Sequence, residues 1–166
     1  MKKGFTIIEL IIYLGLFSLL LGILSNIFSA TLNVKLGSEA TSSVQQDGRF
    51  MVARLAYDIG RVDSETGDSI VVPSPTSINT PNNTLQLNIG GVTYTFTQNS
   101  GNLTLNGYPL NGENTTVSNL QFLRLGGVET GGLRDSIQFS FTLSSKTLLN
   151  NQPGESRTFT STALPR

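Results

Sequence analysis

Residues 1–24 read MKKGFTIIELIIYLGLFSLLLGIL, and the fold follows from this stretch. From Phe5 to Leu24 fifteen of twenty residues are apolar, and residues 10–34 carry no charge. A bilayer core about 30 Å thick is crossed by a helix of about 20 such residues, so the segment is long enough to span. Lys2 and Lys3 precede it and no cation follows closely, which predicts a cytoplasmic N-terminus and a head across the membrane. A cleaved secretory signal fits poorly. The apolar run is longer than the usual 7–15 residues, and Ala30 has bulky Phe28 two positions before it.

Glu9 alone interrupts the run. A carboxylate at membrane depth is costly and marks a functional site with a partner, unless it lies close enough to the interface to reach water. The partner must bring a positive charge to the same depth. In this chain, an α-amino group exposed by cutting just before Phe5 would supply it.

Composition narrows the chemistry. Among 166 residues there is no Cys, His or Trp, and 11 Lys plus Arg balance 11 Asp plus Glu. Disulfides, Cys/His zinc sites and nucleophilic dyads or triads built on His or Cys are thereby excluded. A Ser/Lys or paired-carboxylate enzyme lacks any convergent set, so no catalytic residue, cofactor or metal is expected. No basic surplus suggests direct binding of nucleic acid.

Lys2-Lys3-Gly4-Phe5-Thr6-Ile7-Ile8-Glu9-Leu10 resembles the class III leader of type IV pilins and type II secretion pseudopilins, with Ile7 where Leu is commonest. The resemblance implies cleavage between Gly4 and Phe5 by a prepilin peptidase, N-methylation of Phe5, and Lys2 and Lys3 as the leader's basic residues. It implies that Glu9 pairs with the N-terminal amine of a neighbouring subunit during assembly. The implied partners are other pilins or pseudopilins through the N-terminal helix, the peptidase, the inner-membrane assembly platform and the lipid bilayer. The implied location is single-pass in the cytoplasmic membrane, with the head outside, and then an extracytoplasmic filament.

Beyond the span, Val44, Met51, Val52, Leu55, Ile59 and Val62 recur at helical steps, and no Pro occurs before Pro73. One helix is predicted over about 5–62, roughly 87 Å long, with its transmembrane part at about 5–28 and softening possible at Gly15, Gly22, Gly37 and Gly48. Arg54, Asp58, Arg61 and Glu65 alternate in sign and read as a solvated helix face. Residues 63–83 read as a linker, with Asp63, Glu65 and Asp68 as an exposed polar turn rather than the calcium site that some pseudopilins carry.

The remainder reads as antiparallel β structure. Leu85, Leu87 and Ile89 alternate, Gly90-Gly91 turns, and Val92, Tyr94 and Phe96 alternate again. A turn at 99–102 leads to Leu103 and Leu105, and further strands are expected over 117–125, 136–143 and 156–164. The glycines at 126–127 and 131–132 lack the GK[ST] of a phosphate loop, and Asn82, Asn102 and Asn114, each opening an N-x-T triplet, read as turn residues. The expectation is an α+β chain of three parts: a leader (1–4), a long N-terminal α-helix (5–62) and a β-rich head (63–166) packed on it.

Within that family the head is similar to the J-type minor pseudopilin and W-type minor pilin group. The matching stretches are GRFMVARLAYDIGRV (48–62), VTYTFTQNSGNLTL (92–105), VSNLQFLRL (117–125), RDSIQFSFTL (134–143) and RTF (157–159). Asn106-Gly107 stands where that group often has Arg, and Leu164-Pro165-Arg166 where it often ends Leu-Arg-Asn. Glu9 argues against the K-type subunit, which lacks it. A minor subunit that initiates or caps a pilus or pseudopilus is the function implied. Secretion, twitching, competence and adhesion systems share this design. The alternative is a single-span anchor presenting a β-rich binding head outside any filament.

Overall fold

The computed structural model describes residues 6–73, 78–126, 135–149 and 152–166. One helix, α1, runs unbroken from Ile7 to Gly60. Its glycines produce no break, because each is an isolated weak position costing about 1 kcal/mol and the ladder continues on both sides of it. The helix ends two residues before the expected Val62, where the amide of Arg61 caps onto the carbonyls of Tyr57 and Asp58.

A 3₁₀ turn (Ser64–Thr66) leads, among the described residues, into ten strands: β1 Ser69–Val72, β2 Thr84–Ile89, β3 Val92–Asn99, β4 Asn102–Leu105, β5 Tyr108–Pro109, β6 Thr115–Leu125, β7 Ser136–Ser145, β8 Leu148–Leu149, β9 Gln152–Pro153 and β10 Ser156–Ala163. The first five form a meander in sequence order. A second sheet has the order β10-β7-β6, and β8 and β9 pair separately. Every pairing between these strands is antiparallel.

The turns of the meander follow from residues that tolerate positive φ. Gly90-Gly91, Ser100-Gly101 and Asn106-Gly107 each place two such residues in succession, the geometry that matches strand twist in a tight hairpin. The two larger sheets are joined at a bulge in β6, where the register slips between Ser118 and Gln121 and Asn119 has φ 52°. Gln98 of β3 bridges that slip. It donates to the Val117 carbonyl (3.1 Å) and accepts from the Leu120 amide (3.4 Å).

The core lies between α1 and the inner faces of these sheets. Val44, Met51, Leu55 and Ile59 of the helix meet Phe96, Leu103, Phe122, Phe139 and Phe141, all of them fully buried. Burying each such side chain contributes about 1.5–3 kcal/mol, so the helix is fastened to the head by packing rather than by propensity. Val92 departs from the expected alternation and stays exposed at the strand's mouth.

Two expectations are corrected. Residues 63–83 are not merely a linker: β1 pairs with β2, and Ile78 and Asn82 bridge to β6. The strand is only four residues long, and its buried Ile70 sits among turn formers that masked it. The stripe from Arg54 to Glu65 is not a solvated face either. Asp58 is fully buried, with Arg54 Nε at 2.7 Å and Arg61 Nη1 at 3.8 Å, while Glu65 has left the helix altogether.

Candidate assembly site at the start of the helix

The helix starts where the sequence changes from polar to apolar. Thr6 has extended backbone angles and its side chain accepts from the Glu9 amide (3.4 Å), so Thr6 is the N-cap and Glu9 is the third helical residue. The spacing Thr6-x-x-Glu9 is that of a capping box. A carboxylate in the first turn also lies at the positive end of the helix dipole. Thr6 was missed as a site residue, although the spacing of threonine and glutamate three apart signals it. Lys2, Lys3, Gly4 and Phe5 lie outside the described residues, so the expected cleavage and methylation positions have no geometry here.

Glu9 is half-buried, whereas its neighbours Ile8 and Leu10 are exposed. The next turns form an apolar groove lined by Leu10, Tyr13, Leu14 and Phe17. Large apolar side chains stay exposed from Ile7 to Val34, and none of the most apolar window is covered by the head. The helix is long and apolar enough to cross a membrane. Two of its hydroxyls are satisfied within the backbone: Ser18 donates to the Leu14 carbonyl (2.8 Å) and Thr31 to that of Ile27 (2.9 Å). Such back-bonding removes the cost of placing them in lipid. The face is therefore a hydrocarbon-compatible surface with one carboxylate at its N-terminal end.

Head attachment begins at Ala40 and is reinforced by polar contacts. Asp47 accepts from the Gly112 amide (2.8 Å) and the Thr115 hydroxyl (2.5 Å). Thr115 in turn borders buried Asn111, whose side chain accepts from the Leu103 amide and donates to Asn102 Oδ1 and the Thr115 carbonyl. One polar chain thus ties the helix to both larger sheets.

The acidic turn beyond the helix is occupied by its own backbone. Asp68 accepts from the amides of Gly90 (2.7 Å) and Asp63 (3.3 Å), and Asp63 accepts from that of Glu65 (3.0 Å). Among the described residues no group of three or more His, Cys, Asp or Glu side chains could hold a metal ion. Gly126 lies at the edge of the glycine-rich loop, whose residues 127–134 fall outside the described set.

Compared with known proteins, residues 1–25 match the family model described as the prokaryotic N-terminal methylation motif. No curated protein and no solved structure matches the chain.

Proposed function

The methylation motif at residues 1–25 supports the type IV pilin and pseudopilin family, and on that premise we propose that the chain is a structural subunit built into a pilus or pseudopilus. The observation that carries the reading is the motif's position, at the head of a helix whose apolar side chains remain uncovered from Ile7 to Val34. Such a surface needs lipid before assembly and neighbouring helices after it.

In this reading, prepilin peptidase cuts between Gly4 and Phe5, Phe5 is N-methylated, and Lys2 and Lys3 keep the leader cytoplasmic. Residues 63–166 then form the extracytoplasmic head. Glu9 pairs with the new amine of a neighbouring subunit. In a low-dielectric surrounding an unpaired charge costs far more than a paired one, whose attraction only about offsets its desolvation, so the contact sets register more than it adds stability. Resemblance of the head strands to the J-type and W-type group supports a minor subunit that starts or caps the filament.

Intact mass and N-terminal sequencing of the protein from its native membrane test this. A chain starting at N-methylated Phe5 is expected. A chain retaining Met1, or starting beyond Ala30, would refute it.

A further inference from the structure

Of residues 6–35, Glu9 alone is not exposed. The head attaches only from Ala40 onward, so the cover of Glu9 is local. Side chains on a helix lean toward its N-terminus and meet those four positions earlier, which stands the Tyr13 ring over the turn that carries Glu9. Tyr13 is itself 55% exposed and, with Leu10, Leu14 and Phe17, lines the groove that opens just past the carboxylate. One negative charge, one aromatic face and an apolar trough thus follow each other along the first turns of α1.

The ordinary role of a tyrosine at this depth is an interfacial anchor. An anchor needs no carboxylate beneath its ring, and this carboxylate needs a cation. Residues 10–34 hold no charge, so no side chain of the span can neutralise Glu9. An amine exposed before Phe5 in the same chain is eight positions from Tyr13, about 12 Å of helical rise, and on the far side of Glu9 from the groove. A cation that meets both carboxylate and ring therefore comes from another chain. The N-terminal methylation motif at residues 1–25 sets its chemistry, because subunits carrying such a motif present a methylated N-terminal amine. Aromatic faces attract ammonium ions within about 6 Å of the ring centre and are the usual recognition element for methylated ones.

We propose that Tyr13 is a second residue of the assembly site: the methylated amine of an adjacent pilin-type subunit sits between the Glu9 carboxylate and the Tyr13 ring, and the first side chain of that subunit enters the groove. The inference rests on the filament reading and deepens it. Glu9 supplies the charge, which any cation could satisfy, whereas ring and groove select a methylated, apolar terminus. The contact asks for one neighbour with the same leader chemistry, as suits a subunit at the start or end of a filament.

Tyr13→Phe and Tyr13→Leu, each alone and combined with Glu9→Gln, are expressed as full chains in the native host, and mature protein is quantified in sheared filament and membrane fractions. Tyr13→Phe keeps the aromatic face and is expected to enter filaments within about twofold of the unaltered chain. Tyr13→Leu stays apolar and helix-forming but lacks the ring, and should be cleaved normally yet enter roughly two- to thirtyfold less. With Glu9→Gln the amine is no longer held, so Tyr13→Leu should then add little to the loss. Unchanged entry of Tyr13→Leu would leave only an interfacial anchor and overturn the proposal, as would Tyr13→Phe failing as badly as Tyr13→Leu. An equal fold loss with and without the carboxylate would overturn it too, since the ring would then pack independently of the charge. N-terminal sequencing of the same fractions separates the two readings: retained Met1 overturns both, whereas mature Phe5 with full entry of Tyr13→Leu overturns only this one.

Discussion

The ring of Phe159 fills the space that a side chain at residue 48 would need. Gly48 is thus a point of close approach between α1 and β10, and Phe159 is held there by stacking on Phe141 at 5.5 Å. Gly48→Ala gains up to about 1 kcal/mol in helix propensity but forces overpacking that costs about 1–3 kcal/mol. The net expected result is a destabilised head, measured by thermal unfolding of the full chain in detergent. In a Phe159→Leu background the penalty should shrink or reverse, because the obstructing ring is gone. Equal penalties in both backgrounds would show that the close approach is irrelevant.

Asp58 is the one fully buried acid on the helix, and its Oδ1 has no hydrogen bond among the described residues. Its Oδ2 takes the charged bond from Arg54, while Arg61 at 3.8 Å offers only a longer-range attraction. Charge-assisted hydrogen bonds contribute about 1.5–3 kcal/mol, and exposed pairs less than about 1. Asp58→Asn should therefore cost about 2 kcal/mol in denaturant unfolding and Arg61→Ala less than half as much. If the two cost the same, the arginines share the carboxylate equally.

Asp47 joins the helix to the loop before β6 through Gly112 and Thr115. Asp47→Ala leaves the Gly112 amide without its acceptor and the Thr115 hydroxyl with only the Gly112 carbonyl at 3.3 Å, a loss of about 1–3 kcal/mol. Hydrogen exchange should quicken at Gly112. The β7 ladder, which does not depend on this contact, should stay protected. Uniform quickening across the head would mean that the contact is part of the global core instead.

Much of this architecture was legible because strong signals coincide. The charge-free run over residues 10–34 and the spacing of Val44, Met51, Leu55 and Ile59 fix the helix, and the Gly90-Gly91 turn fixes the β2–β3 hairpin. Asn106-Gly107 carries an equally strong turn signal, yet β5 went unread because two residues show no periodicity. β1 was hidden for a similar reason. Asp58 misled because periodicity along α1 puts it beside exposed arginines, and only the tertiary position of the β-sheets shows that it faces inward. For the site, Glu9 stands out as a charge in an apolar run, whereas the signal for Thr6 is only its spacing from Glu9, and the backbone geometry shows it capping.

On the filament reading proposed above, Glu9 would have two separable roles, and substitution can divide them. As the third residue of the helix it completes a capping spacing with Thr6, which glutamine can also satisfy. As a carboxylate near membrane depth it can pair with a neighbour's amine, which glutamine cannot do with charge. Thr6→Ala should cost about 1 kcal/mol of helix-end stability and leave incorporation into filaments nearly intact. Glu9→Gln and Glu9→Ala should both be cleaved normally yet enter filaments poorly. Loss of about 1–3 kcal/mol of pairing corresponds to roughly a five- to 150-fold reduction. Quantifying mature protein in sheared filament and membrane fractions decides it. If Glu9→Gln incorporates like the unaltered chain while Glu9→Ala and Thr6→Ala both fail, the carboxylate serves only to start the helix and register must be set elsewhere along α1.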